Sequence, residues 1–531
     1  MRKKWGNRIG AIVLACALTM SGLPVQSIST STRKAYAAAK SETEKQDVSQ
    51  PETKMGNVVL NGNDIAVNNV NGLTYKGFGM LSGNSTSDLL MDYKAEQPKA
   101  YAELMQYLFG GNYPIMNHVK LEMGNDRNTS TGPESCTKRT EKEKANVLRN
   151  PGWQLAADAK KINPKIKVSI LRWEAPVWAE TDEKIYQWYK ETILDAYEKY
   201  GYMVDYINPN INEKWDVDSD VAFTKKFAKW IAAETKETIP DEKALALYHK
   251  IKLVVSDEAG TASDSVVESM KSDSDFYNSV DVVGYHYSPW DDSNGGMKWL
   301  AQTKDKEVWN SEAQATFSNS AFRPSNNVKD PTTEGTGLGG TGSALEMANT
   351  FIKGFVQSRR SHVIYQPAIG SFYEGAQFSF KELVGARDPW SGWIHYDAGL
   401  LMLAHISKFA VTGWENEDNT AGIWRAVPQA SKCTADGTNP VNGRNGGENY
   451  MTLASPAKDN FSTMIVNDSE YPMEYKIQTK NMKLAEDQNL EIWETRAADD
   501  GAFNENYMKC IGTAKADDNG VYTVKVKHIL L

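Results

Sequence analysis

Two glutamates stand at the ends of apolar runs. Glu213 closes VDYINPNIN in the stretch PNINEKWD (209–216), and Glu312 closes EVWNS in VWNSEAQ. An acid is rarely buried at a strand end without a partner or a task. Paired carboxylates are the equipment for cleaving a glycosidic bond. One is protonated and releases the leaving oxygen, and the other is ionised and attacks the anomeric carbon. Proximity helps, because each charge raises the cost of ionising its neighbour. The residues around them suit a sugar too. Asn212 either bonds a sugar 2-hydroxyl or shapes a turn. Trp173, in LRWEAPVW, either stacks on a sugar face or plugs the fold. Tyr287, in YHY, is placed to bond a nucleophilic carboxylate and hold it ionised, and His286 beside it reads equally well as a core histidine. The bland alternative for each acid is a loop cap or an ion pair, with Lys214 or Arg172 as the partner of Glu213. That reading loses ground when both acids fall at such strand ends.

The elements that position them are regular. Apolar runs predict strands at YKGFGML (75–81), HVKLEM (118–123), IKVSILRW (166–173), VDYINPNIN (204–212), KLVVS (252–256), DVVGYHY (281–287), EVWNSE (307–312) and VIYQPAIGSFY (363–373). Helical spacing runs between them, at 100–110, 183–200, 221–235 and 343–360. Eight alternations predict an α/β fold, a closed (β/α)₈ TIM barrel over residues 74–411. An open doubly wound sheet would want a phosphate loop after its first strand, and there is none. Strands seven and four would bring Glu312 and Glu213 to the same rim, where such barrels carry their active sites. After residue 412 the chain breaks into short alternating runs (GIWRAVP, YMTLASP, FSTMIVND, EYKIQTK, LEIWET, VYTVKVKHILL), which predict an all-β sandwich over 412–531. Its last run stops in an apolar HILL, as a truncated strand would. NVVLNGNDIAV, near the start, predicts two short runs about a turn.

Composition sets the class. The 531 residues carry a formal charge of −9, 40% hydrophobic and 24% charged residues, as expected of a globular enzyme and not of a nucleic-acid binder. Fifteen Trp and 24 Tyr offer flat faces for sugar rings, and equally for ordinary cores. The first 37 residues read as a secretory signal: basic MRKKWGNR, an apolar run, and KAYA with Ala35 and Ala37 at the cleavage positions. A retained anchor is the alternative, and Cys16 makes a weak lipoprotein box. Residues 38–56 read as a polar linker. The expectation is a secreted protein with no stable membrane span after cleavage. Cys136, Cys433 and Cys510 form no disulfide framework, although Cys433 and Cys510 could pair. Cys136 has no His or Cys at metal spacing, so neither metal nor cofactor is expected. GTGLGG (335–340) lies too far beyond its strand for a dinucleotide site and reads as a loop. KRTEKEK (138–144) reads as the solvated start of a helix. No feature points to a protein partner.

Taken in order, GFGMLSGN, VKLEMGND, LRWEAPVW, INEKW, VVSDE, DVVGYHY, VWNSEAQ and RDPWSGW resemble the galactocerebrosidase family, glycoside hydrolase family 59, across about residues 57–531. The resemblance implies retaining hydrolysis of a β-galactoside glycan or glycolipid, with Glu213 as acid/base and Glu312 as nucleophile. It implies galactose contacts from Asn212, Trp173 and a strand-two hydroxyl, which falls on Ser130 with Thr129 adjacent. It also implies that the segment near 57–73 supplies strand to the sandwich. Departures exist. The family's strand-eight Trp falls on Gln366, or on Tyr365 with a one-residue shift, and a nearby Tyr falls on Phe378. The sandwich-domain Arg has no clear counterpart, and the lectin-like domain with its calcium site is not within these residues. Two other functions stay open: a related hydrolase acting on another β-linked glycan, of galactan or xylan type, and a non-catalytic carbohydrate-binding barrel.

Overall fold

A computed structural model describes residues 51–531, apart from 69, 84–85, 128–132, 260–261, 287–294, 314–343, 367, 371–382, 387, 397, 411–423, 434–446, 468, 470, 486–487, 497–505 and 528–531. The expected leader, most of the linker, the GTGLGG loop, Thr129, Ser130, Tyr287 and Phe378 lie outside the described residues.

The first strand, β1 (Lys54–Asn61), starts inside the stretch read as linker. The eight predicted barrel strands follow as β2 (Phe78–Ser82), β3 (Met116–Glu122), β4 (Lys167–Arg172), β5 (Tyr206–Ile211), β6 (Lys252–Ala259), β7 (Val282–His286), β8 (Glu307–Ala313) and β9 (His362–Tyr365). They close in sequence order, β9 pairing in parallel with β2, as a TIM barrel. Each strand is buried on both faces, which is why each reads as a continuous apolar run rather than an alternating one. The predicted helices lie between them, for example at Pro98–Phe109, Asp182–Tyr200, Val217–Ala233 and Ala344–Ser358. Inside the barrel, Leu81, Leu171, Tyr206, Val254, Val282, Trp309 and Ile364 form an apolar plug. Below it His118 and His362 meet ring to ring, Nδ1 to Nε2 at 2.9 Å, while the second nitrogen of His118 takes Ser169 Oγ and that of His362 the Gly77 carbonyl.

After the barrel come a small sheet of β10 (Ile369–Gly370), β11 (Val384–Ala386) and β12 (Ile394–Tyr396), then the C-terminal strands. β13 (Arg425–Ala426), β14 (Lys432–Cys433), β15 (Asn449–Ala454) and β16 (Phe461–Ile465) form one sheet. β17 (Met473–Lys480) pairs with β20 (Val521–Val526), and β18 (Leu490–Arg496) with β19 (Asn506–Ala514). Val58 and Leu60 of β1 join Tyr450, Tyr475, Ile477 and Tyr522 in one core between these sheets. β1 lies parallel to β17 along its whole length, Val58 opposite Ile477. From Lys54 onward the chain therefore starts in the sandwich, builds the barrel and returns.

Several expectations need correction. The second half of NVVLNGNDIAV is not a strand, because Gly62–Asp64 forms a 3₁₀ turn capped by Asn61. KRTEKEK starts no helix. It lies in an extended loop that buries Lys138 against Glu191 and Trp178 and pairs Arg139 with Asp126. β19 had not been expected, and no disulfide joins Cys510 to Cys433.

Candidate active site

The strand ends at the C-terminal mouth of the barrel are irregular. Register shifts fall between Ile170 and Arg172, Ser256 and Glu258, Tyr285 and His286, and Asn310 and Ala313. Each extra residue re-aims the side chains beyond it. Ser256 (φ 77°), Asp257 (φ 44°) and Glu213 (φ 56°) are all in left-handed backbone, a costly conformation for such residues and one that clusters at functional sites. The strain is held by backbone bonds. Glu213 donates its N–H to the Asp257 carbonyl at 3.0 Å, and Asn212 donates to Arg172 O at 2.9 Å. Beyond them Asp216 caps the helix Val217–Ala233, accepting from Ser219 N, while Asp220 accepts from Asp216 N. This reciprocal capping leaves the turn bearing Glu213 little freedom.

The turn brings Glu213 to Glu312. One carboxylate oxygen of each and one ring nitrogen of His286 lie within 4.8 Å of one another. So close an approach of two carboxylate oxygens is compatible with the carboxyl spacing of about 5–5.5 Å that retaining glycosidases use. Glu312 is almost fully buried, and Glu213 is partly open to the mouth. The alternative reading of Glu213 as an ion-pair partner of Arg172 or Lys214 does not hold. Arg172 donates Nε to the Pro209 carbonyl at 2.9 Å, and Lys214 reaches Glu174.

His286 is no bystander. Its Nδ1 lies 2.9 Å from Glu213 Oε1 and 3.8 Å from Glu312 Oε2, and its Nε2 lies 3.6 Å from Asp257 Oδ1. Burial disfavours its protonation. The charge of Glu312 and the contacts with Asp257 and Glu213 outweigh that and raise its pKa to about 9. Asp257 is itself fully buried. Burial opposes its ionisation, yet Lys120 and His286 hold its carboxyl well below the usual carboxylate range. Lys120 Nζ lies 3.0 Å from Asp257 Oδ2, and Asn208 Nδ2 donates to the same oxygen at 2.8 Å.

The other predicted residues divide. Asn212 is fully buried, and neither atom of its amide bonds to protein among the described residues, as a ligand-facing amide would be. Trp173 sits at the end of β4 against the plug, with its indole N–H likewise unpartnered among the described residues. Tyr365 is turned into the barrel–helix core beside Phe78, ring centroids 5.9 Å apart, so Gln366 is the residue at that rim position. Sequence reasoning missed Lys120 and Asp257. Their signals were a lysine inside the apolar VKL and the acids of VVSDE at a strand end.

The model of Glycosyl hydrolase family 59 matches residues 75–408. Galactocerebrosidase of Danio rerio is 25% identical over 357 residues, 65% of this chain and 46% of that protein. The Homo sapiens galactocerebrosidase is 27% identical over 350 residues, 65% of this chain and 44% of its own length. The matched region thus spans about half the length of these relatives. Among solved structures, the endo-beta1,6-glucanase BT3312 superposes with a TM-score of 0.55 at 14% identity, covering 80% of this chain and 89% of that one. SrfJ from Salmonella typhimurium gives 0.53 at 13%, covering 82% and 90%. At such identity these two speak for the fold alone.

Proposed function

The chain belongs to glycosyl hydrolase family 59, and from that premise we propose that it is a retaining β-galactosidase of the galactosylceramidase type. The observation that carries this reading is the short separation of Glu213 and Glu312. Glu213, open to the mouth, protonates the leaving oxygen as the glycosidic C–O bond breaks. Glu312, buried beneath, gives an electron pair to the anomeric carbon and forms the glycosyl-enzyme. Glu213, now a carboxylate, takes a proton from water as the water oxygen bonds to the anomeric carbon and the bond to Glu312 breaks, which frees Glu312 as a carboxylate and releases the sugar with its configuration retained. Asn212 bonds the sugar 2-hydroxyl and Trp173 stacks on its face. Thr129 and Ser130 are assigned to the same pocket on the family resemblance alone, and Tyr287 on its place in YHY, from which it would bond the nucleophile. The leader sequence supports export. Among the described residues no helix is long and apolar enough to cross a membrane.

Two variants test the roles. Glu312→Ala is expected to be inactive on every leaving group, with azide giving a glycosyl azide of inverted configuration. Glu213→Ala is expected to keep fast glycosylation with a dinitrophenyl leaving group, lose it with an alkyl one, and give the retained azide. The opposite pattern would swap the roles, and wild-type rates in both on alkyl glycosides would end the reading. A panel of aryl β-galactoside, β-glucoside, β-xyloside and β-fucoside, with galactosylceramide, tests the sugar and aglycone. Preference for a xyloside or for galactan fragments would favour the related β-glycan hydrolase instead. Sugar binding by an inactive wild type would favour the binding barrel.

A further inference from the structure

We infer that Gln366 is a specificity-determining residue, whose side-chain amide hydrogen-bonds the 4-hydroxyl and 6-hydroxyl of the sugar being released. The inference rests on the proposed hydrolysis of β-galactosides, and it supplies a contact for the one edge of the sugar that this reading leaves unassigned.

The pleat of β9 dictates where the side chain goes. Successive strand residues point to opposite sides. Ile364 belongs to the plug inside the barrel, and Tyr365 to the core between barrel and helices. Gln366 comes next. It donates its backbone N–H to the Ala313 carbonyl at 2.7 Å, so pairing with β8 carries through to it and its side chain turns inward, one layer above Ile364. Ala313 directly follows Glu312, which puts the amide near the level of the nucleophile. Trp173 reaches the same layer from the end of β4, two residues past the plug residue Leu171. Gln366 is only 6% exposed, yet among the described residues no protein group bonds its amide. Buried amides are normally bonded. The exception at Gln366 matches the one at Asn212, the other buried amide at this mouth without a protein partner.

The two amides stand on opposite sides of the sugar. β5 is the fourth barrel strand and β9 the eighth, so Asn212, just past β5, and Gln366, just past β9, face each other across the mouth. With C1 between Glu213 and Glu312 and the 2-hydroxyl on Asn212, the ring carbons pointing away from β5 are C4 and C5. In galactose the 4-hydroxyl is axial and cis to the hydroxymethyl group on C5, so both oxygens stand on one face. A carboxamide holds an acceptor and a donor side by side. It accepts from one of these hydroxyls and donates to the other. In glucose the 4-hydroxyl is equatorial and leaves that face, and xylose has no C6 at all. One side chain therefore reads two features that distinguish galactose.

Gln366→Met tests this, because methionine keeps the length of the side chain and removes both donor and acceptor. On an aryl β-galactoside kcat/KM is expected to fall about 10- to 100-fold. On the 4-deoxy and 6-deoxy galactosides the fall is expected to be smaller, since each substrate already lacks part of the contact. The 2-deoxy galactoside is expected to lose the full factor, because its missing hydroxyl lies on the Asn212 side. A residue that only fills space would lower all four alike. Equal falls on all four substrates, or an unchanged rate on the parent, would overturn the inference. The unaltered protein gives a second readout should the variant not fold. It is expected to cleave the 4-deoxy and 6-deoxy compounds about tenfold or more less efficiently than the parent, as a site built to bond a hydroxyl rejects the analogue without it. Equal efficiency on all three would overturn the inference. Two results separate the levels. Equal falls beside an inactive Glu312→Ala refute this inference alone. A wild type that prefers the xyloside refutes the galactoside reading, and the inference with it.

Discussion

Lys120→Met probes the buried pair of Lys120 and Asp257 through stability. Lys120 and Asp257 are 3% and 0% exposed, with Nζ and Oδ2 3.0 Å apart. Methionine matches the length of the lysine stem and removes only the charged end. Breaking a buried pair from one side costs about 3–5 kcal/mol, because the remaining charge is stranded. Here Asp257 keeps the Asn208 bond and the His286 contact, so the lower end, about 3 kcal/mol, is expected. That lowers the folded-to-unfolded ratio about 150-fold. The assay is urea unfolding followed by tryptophan fluorescence. The pH dependence has a definite sign. The Asp257 carboxyl is held below its unfolded value, so its stabilisation is complete above about pH 4 and is lost only as pH falls through the lower, folded value. Without Lys120 the folded value rises. The deficit of the variant should therefore be full at pH 7 and should narrow below about pH 4, as Asp257 protonates in the variant. Adding Asp257→Asn to Lys120→Met removes the stranded charge, so the double variant should lose less than the two single losses added together. A deficit under about 1 kcal/mol at pH 7, or strict additivity, would refute the claim that the two charges support each other.

Other outcomes follow from the same geometry. Gly284→Ala forces a Cβ onto Asp257 and Ser311, so a loss of about 1–3 kcal/mol in stability is expected in denaturant titration, with a fall in kcat. Asn212→Ala removes a buried amide and should lower kcat on 2-hydroxy sugars while 2-deoxy substrates lose much less, which steady-state kinetics will show. The histidine pair under the plug is neutral: burial pushes His118 well down and His362 to about 4. Its stabilisation is complete above the unfolded value of about 6.5 and is lost as pH falls through about 4. Unfolding midpoints should decline over that window, and His362→Asn should flatten the decline.

Sequence alone determined the repeating part of this protein. Helix and strand periodicity is local, so eight apolar runs with amphipathic stretches between them already meant eight βα units, and the burial of every strand shows in its unbroken apolar text. It also placed Glu213 and Glu312 at strand ends, because a polar residue closing an apolar run is legible without any contact being known. The pairing of β1 with the far end of the chain was legible only through family resemblance, since Val58 meets Ile477 across the whole length of the barrel. The contacts of Asp257 with Lys120 and His286 were not legible. Lys120, Asp257 and His286 come from separate strands, and barrel closure is what brings them together. His286 looked like a core histidine because its type says nothing about whether it is charged. That is decided by Glu312, Asp257 and Glu213 standing around it. The left-handed backbone at Glu213 and Asp257 was equally hidden. Neither residue favours it by itself, and it persists because the tertiary hydrogen bond from the Glu213 N–H to the Asp257 carbonyl and the register shifts at the strand ends hold it in place.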